Sequence, residues 1–309
     1  MSLDDAAISR LREAVRAPDL TGTPYRLVGP IGAGGMGAVF DALDERLDRH
    51  VALKVVDVPL DGVAPAEALL REARVLAALE HPGLVPVHDA GRLADGRAFY
   101  AMKLVRGERL DAHLARVPQL KERLRLFLRV SEPVAFAHAH GILHGDLKPS
   151  NVMVGPFGEV LVLDWGLARA ISDPREETAA RATETAKAAG TPGFMAPEQE
   201  SGSALDVRAD VFGLGALLDA SLRVAPVSPL PRALAAILAR ATAADRKERY
   251  EDVPSLAADV ARFLDGERVE AHAEGAVESA LRLLRRHRVA AGLVATYLVV
   301  RGLFIFFRQ

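Results

Sequence analysis

The spacing of apolar positions changes character several times along the chain. Leu3, Ala7, Leu11 and Val15 recur at helical spacing among charged residues, which predicts a short amphipathic helix over 3–17. Thr21-Gly-Thr-Pro24 ends it and serves as a linker. From Tyr25 the period shortens. YRLVGPI and AVFDAL flank a glycine-rich turn, and 51–58 is an almost continuous apolar run rich in valine, so three antiparallel strands are predicted. Over 65–80, Leu69, Leu70, Ala73, Leu76, Ala77 and Leu79 fall three and four apart, which predicts a helix with proline near its start. Two further strands are predicted in 81–105, around a turn at Asp95-Gly96.

After Gly107 the periodicity becomes mostly helical. Residues 120–140 predict a long helix in which Pro133 can introduce a kink. VMV and VLVL bracket Pro156-Phe157-Gly158 as a small hairpin, and helices are predicted around 210–222, 232–243 and 253–264. Residues 172–190 are rich in Thr, Ala and Glu with no apolar stripe, which predicts a mobile loop. A basic cluster, RLLRRHR, then precedes a 19-residue run over 289–307 whose single charge is Arg301.

Composition narrows the function classes. With 309 residues and half of them apolar, the chain can build a sizeable core as one large domain or two medium ones. Lys plus Arg number 39 against 41 Asp plus Glu, so a net charge of −2 gives no global attraction for nucleic acid. Cysteine is absent, which excludes disulfides, thiolate metal sites and a cysteine nucleophile. The first 24 residues are charged and lack an apolar core, so no secretory signal is expected.

Three groups of residues carry chemistry. Ile31, Gly32, Ala33, Gly34, Gly35, Met36, Gly37 and Val39 form a glycine-rich turn between two strands, where backbone without Cβ can approach a phosphate. Taken alone this also describes a tight hairpin. A Rossmann site is disfavoured, because a strand follows rather than a helix. Lys54 lies inside the apolar VALKVV, as an edge-strand lysine or as a cation held over phosphates by a carboxylate such as Glu72. The third group decides between these readings. His144-Gly-Asp-Leu-Lys-Pro-Ser-Asn151 is followed by Asp164-Trp-Gly166 and then Ala196-Pro-Glu198. In order and spacing these motifs resemble the eukaryotic-like (Hanks-type) Ser/Thr protein kinases of bacteria, over about 25–271.

The resemblance implies an α+β, bilobal protein kinase fold, with a β-rich N-lobe (25–104) and a helical C-lobe (105–271), to which the apolar run over 289–307 adds a C-terminal hydrophobic helix. It implies ATP and Mg²⁺ as cofactors and a protein Ser/Thr hydroxyl as acceptor. Asp146 stands at the catalytic base and Lys148 beside the transferring phosphoryl group. Asn151 and Asp164 are oxygen ligands suited to Mg²⁺. The Lys54–Glu72 pair anchors the α- and β-phosphates, Met102 backs the adenine pocket, and Lys103 to Val105 form the hinge. Asp210 resembles the helix aspartate that braces the catalytic loop, and Arg249 the arginine that pairs with Glu198.

Three departures stand out. Gly145 replaces the arginine that meets a phosphate on the activation loop, which puts in doubt control through Thr183 or Thr185. Thr191 is expected to shape the substrate platform. Trp165 replaces the usual phenylalanine, as in one branch of bacterial kinases, and its larger ring is expected to disfavour a flipped, inactive state. Only about a dozen residues separate Asp219 from Arg232, so the helical lobe looks trimmed. Gly145 and this trimming motivate the alternative of a membrane-tethered pseudokinase; a small-molecule kinase is the third reading.

The run over 289–307 spans about 28 Å as a helix, close to the roughly 30 Å of a bilayer core. Its 11 Val, Leu, Ile and Phe residues contribute roughly −3 to −7 kcal/mol to insertion, against about +2.5 to +3.5 for a central arginine. Arg301 is off centre and can snorkel. A membrane-spanning helix is therefore expected, with a helix packed on the kinase or on a second copy as the other reading. Arg282, Arg285, Arg286 and Arg288 precede the run and Arg308 follows it, which places the kinase domain on the cytoplasmic side of the cytoplasmic membrane and predicts no external sensor domain. The implied organisation is a helix and linker (1–24), the kinase domain (25–271), a basic juxtamembrane linker (272–288) and the span (289–307). A homodimer is left open.

Overall fold

A computed structural model of the chain describes residues 17–34, 37–56, 64–165, 169–170, 190–224 and 229–275, with 278–279, 292–293, 296–301 and 303 near the C-terminus. The expected N-terminal helix, the basic cluster, Thr183, Thr185 and about half of 289–307 lie outside the described residues.

Strands β1 (Tyr25–Gly34), β2 (Gly37–Asp44), β3 (Arg49–Val55), β4 (Val87–Arg92) and β5 (Ala98–Lys103) form an antiparallel sheet in the order β1-β2-β3-β5-β4. Helix α1 (Ala64–Ala78) separates β3 from β4. Side chains alternate between the two faces of the sheet. One face joins Ala38, Phe40 and Ala42 to Val51, Leu53, Val55, Phe99 and Ala101 in a small core of its own. The cross-strand pairs Val39–Lys54 and Lys54–Tyr100, with Ala52–Met102, occupy the other face. That second face meets α1, whose Ala66, Leu69, Ala73 and Leu76 are buried.

The helical lobe begins with β6 (Glu108–Arg109) and α2 (Leu110–Leu114), followed by the long α3 (Leu120–Ala139). Strand β7 (Ile142–Leu143) leads into a short 3₁₀ turn at Pro149–Asn151 and the hairpin β8 (Val152–Val154)/β9 (Val160–Val162). Strand β10 (Arg169–Ala170) pairs with β7. Helices α4 (Pro197–Glu200), α5 (Val207–Val224), α6 (Arg232–Ala241) and α7 (Val253–Leu264) complete it. The predicted elements of 25–165 and 207–264 are therefore present, with ends shifted by a few residues.

One continuous core runs from α1 through Tyr100, Leu84 and Trp165 into α3, α5, α6 and α7. The lobes are also joined by backbone: Val162 donates to the Gly83 carbonyl at 2.9 Å. Where the helical lobe is trimmed, the buried Arg123 of α3 donates to the Ser221 carbonyl at 2.8 Å and to that of Pro118 at 3.2 Å. Its guanidinium sits at the C-terminal end of α5, where a cation complements the exposed carbonyls. The end of the expected kinase domain is tied down by Asp259, fully buried, which accepts from the Glu270 and Ala271 amides at 2.7 and 2.9 Å and from the Tyr250 hydroxyl at 2.9 Å.

Among the described residues no helix is long and apolar enough to cross a membrane, so the expected C-terminal hydrophobic helix is not shown as a span. The described positions 296–301 are helical, and Tyr297, Leu298, Val299 and Val300 are all about 60% exposed.

Candidate active site

The cleft between the lobes collects side chains from elements far apart in sequence. Lys54 reaches it because β3 alternates and because both neighbours, β2 and β5, place a side chain beside it on the same face. Its Nζ donates to Glu72 Oε1 and Oε2 at 2.9 and 3.0 Å and to Asp164 Oδ1 at 2.8 Å. Glu72 arrives from α1, where it falls in the apolar stripe between Leu69 and Leu76 and is 4% exposed. Burial alone would lower the Lys54 ammonium's pKa, and the two carboxylates outweigh it, so it is raised. Burial pushes the Glu72 carboxyl up, against the Lys54 ammonium and the Tyr100 hydroxyl, which favour its charged form. Asp164 is held below the usual carboxylate range because Lys54 more than offsets its burial. Asp164 also adopts φ of 60°, a left-handed conformation uncommon outside glycine, which marks local strain.

Asp146, Lys148 and Asn151 come from the loop between β7 and β8. Lys148 Nζ donates to Asp146 Oδ2 at 2.6 Å, and the Asn151 amide donates to the Asp146 carbonyl at 2.9 Å and to Oδ2 at 3.2 Å. Thr191 closes the group: its hydroxyl donates to Asp146 Oδ1 at 2.9 Å and accepts from Lys148 at 2.5 Å.

This loop is braced from below. Asp210 of α5 is buried, and its two oxygens accept from the His144 amide at 2.8 Å and the Gly145 amide at 2.9 Å. His138 Nε2 lies 2.7 Å from the same carboxylate. Burial opposes the Asp210 charge, but His138 and the Gly145 amide prevail and hold its pKa down. Gly145 has φ of 77°, a conformation that costs a residue with a Cβ about 1–2 kcal/mol. Its carbonyl accepts from Gln199 Nε2 at 2.8 Å. His144 Nδ1 accepts the Asp146 amide at 3.2 Å, so Nε2 carries the proton and donates to the Leu163 carbonyl at 3.0 Å. The Trp165 ring packs 4.6 Å from His144 and is 1% exposed, away from the cleft surface.

Of the glycine-rich turn, Gly35 and Met36 lie outside the described residues. Gly34 pairs with Gly37, Ala33 with Ala38 and Gly32 with Val39. A Cβ on Gly37 would lie 2.2 Å from the Val55 carbonyl oxygen, so only glycine fits where β2 leaves the turn. Ile31 is half exposed. Met102 is partly buried on the Lys54 face, Lys103 ends β5, and no hydrogen bond engages the Val105 backbone among the described residues.

The chain is similar to known proteins. The profile described as "Protein kinase domain" matches residues 25–266. The chain belongs to the protein kinase family. Its relatives are bacterial serine/threonine kinases. It is 31% identical over 296 residues to the serine/threonine-protein kinase PknD of Protochlamydia amoebophila, covering 78% of this chain and 30% of that protein. To PknA of Mycobacterium tuberculosis it is 38% identical over 198 residues, covering 62% of this chain and 44% of that protein. The chain thus spans about a third of the length of the PknD relatives, which it covers to 30–31%. The crystal structure of the M. tuberculosis PknI kinase domain superposes with a TM-score of 0.62 at 26% identity, covering 81% of this chain and 99% of that one.

Within this kinase fold, Lys54, Glu72 and Asp164 are brought together, and so are Asp146, Lys148 and Asn151. The scaffold pair is also formed: Arg249 makes two bonds to Glu198, at 2.6 and 2.8 Å, and spends its other N–H groups on the Ala243, Ala244 and Arg208 carbonyls. Four residues were missed. Ala52 shares the face of Lys54 and pairs with Met102, a position that alternation from Lys54 would have found. Tyr100, His138 and Gln199 touch Glu72, Asp210 and Gly145 only through tertiary packing.

Proposed function

We propose that this kinase transfers the γ-phosphoryl group of ATP to Ser or Thr hydroxyls of proteins. The observation that carries the reading is the Asp146 carboxylate, held by Lys148, Asn151 and Thr191 in the same cleft as Lys54 and Asp164. In the reaction the substrate oxygen bonds to the γ-phosphorus and its proton passes to Asp146. The bond from that phosphorus to the β–γ bridging oxygen breaks, and ADP leaves with the electron pair. Lys148 neutralises charge on the moving phosphoryl group, and Lys54, fixed by Glu72, holds the α- and β-phosphates. Val39, Ala52 and Met102 give adenine an apolar seat, and Lys103 to Val105 offer backbone groups to its edge. The turn from Ile31 to Val39 covers the phosphates.

The donor set suits Mg²⁺. Asn151 spends its amide nitrogen on Asp146, which leaves its carbonyl oxygen, and Asp164 has one oxygen on Lys54 and one without a partner among the described residues. Two oxygen ligands completed by phosphates and water match how this ion binds. Asn151 and Asp164 would hold it, and when bound it would neutralise phosphate charge.

Residues 289–307 we assign to the bilayer, with the kinase domain in the cytoplasm. The support is the apolar run and the exposure of Leu293, Tyr297, Leu298, Val299, Val300 and Leu303 among the described residues. Membrane fractionation of the full chain against a 289–307 deletion tests this; a deletion that still pellets with membrane rejects it.

The catalytic reading is tested with the full chain in mild detergent, radiolabelled ATP, Mg²⁺ and a generic acceptor protein, beside Asp146→Asn and Lys54→Met. Label in wild type on phosphoserine or phosphothreonine, lost in both variants, is expected. Nucleotide binding without transfer would favour the pseudokinase.

A further inference from the structure

Glu72 has a third partner besides the two bonds from Lys54. The Tyr100 hydroxyl donates to Glu72 Oε1 at 3.0 Å. Tyr100 is the cross-strand neighbour of Lys54, its ring is 1% exposed, and Lys54 Nζ lies 5.7 Å from the ring centroid. One side chain therefore touches both members of the ion pair, the hydroxyl on the carboxylate and the ring near the ammonium.

We propose that Tyr100 is a positioning residue that holds α1 in the engaged position through Glu72, so that the Lys54–Glu72 pair stays assembled whether or not nucleotide is bound. The inference rests on the phosphotransfer reading. Its physical basis is an asymmetry between two positions of α1. With α1 engaged, the buried hydroxyl and the buried carboxylate satisfy each other. With α1 displaced, Glu72 can reach water, but Tyr100 belongs to the sheet and cannot follow. Its hydroxyl has no other hydrogen bond among the described residues, so it would be left buried and unpaired. That cost falls on the displaced position alone and shifts the population toward the engaged one. Burial first, and then the Glu72 charge, push the Tyr100 hydroxyl well above its usual range, so it remains a donor across working pH.

The test is Tyr100→Phe, which keeps the ring in the core and removes only the hydroxyl, read in wild-type and Glu72→Met backgrounds of the full chain. Tyr100→Phe should lower kcat/KM for ATP about tenfold, chiefly through KM, and speed amide exchange over 64–78 in the nucleotide-free protein. In the Glu72→Met background the same change should alter ATP affinity less than about twofold, since the partner is gone. Unchanged kcat/KM and unchanged exchange in Tyr100→Phe overturn the proposal. An equal loss in both backgrounds also overturns it, because the tyrosine would then act on general packing. If wild type transfers no phosphate, the phosphotransfer reading fails instead. Nucleotide affinity and α1 exchange then decide on Tyr100 separately.

Discussion

The two sides of the cleft are held by different means. On the sheet side, Lys54, Glu72 and Asp164 belong to a strand, a helix and the other lobe, and they are joined by side chains alone. On the loop side, Asp146 sits in a backbone pinned at successive residues by one buried carboxylate, with Gln199 holding the next carbonyl. Side-chain contacts between separate bodies can be made and broken as those bodies move. Amides bonded to a buried aspartate cannot be released without leaving polar groups unpaired. The sheet side is thus the adjustable half and the loop side the fixed half.

That contrast predicts which substitutions cost activity and which cost folding. Asp146→Asn should lose about 10²–10⁴ in transfer rate, measured by single-turnover phosphorylation, with stability close to wild type. Asp210→Ala should cost about 3–5 kcal/mol in chemical denaturation, because it orphans two buried amides and His138. Lys54→Met should show the reverse balance: transfer falls at least about 100-fold, while stability drops less than in Asp210→Ala. Equal destabilisation by the two would contradict the distinction. Gly145→Ala should cost about 1–2 kcal/mol by forcing a Cβ into the left-handed region, read as a lower denaturation midpoint.

The smallest effect is on pH. Asp164 and Asp210 titrate below their ordinary 3.8 and Glu198 below its ordinary 4.5. As pH falls, the unfolded chain takes up these protons first. Their contribution is therefore fully present above about pH 5 and is lost as pH drops through the lowered folded values, with a slope of at most about 1.4 kcal/mol per pH unit for each proton. Thermal melts between pH 7 and 3 should show a plateau and then a decline, shallower in Asp210→Asn. A melting temperature that rises below pH 4 would contradict this sign.

Local pattern carried much of the site. Glu72 was read as a carboxylate that could fix Lys54 from the helix that follows its strand, and its burial in the apolar stripe of α1 appears only in the structure. Asp210 and Arg249 were legible from motif. Thr191 was read only as part of the substrate platform, and nothing local indicates that its hydroxyl joins Asp146 to Lys148 across more than 40 residues of chain.

The order of elements follows from the chain's own periodicity, because that depends on neighbours a few positions away, while the residues of 144–151 were found through the motif they share with a known family. Tertiary structure decided the rest. Tyr100 reads as one more core aromatic until strand register sets it beside Lys54 and α1 brings Glu72 within 3.0 Å of its hydroxyl. His138 and Gln199 likewise acquire their roles only when helices distant in sequence close on the catalytic loop. A buried polar group must find its partner in space, and that partner is set by packing rather than by spacing along the chain.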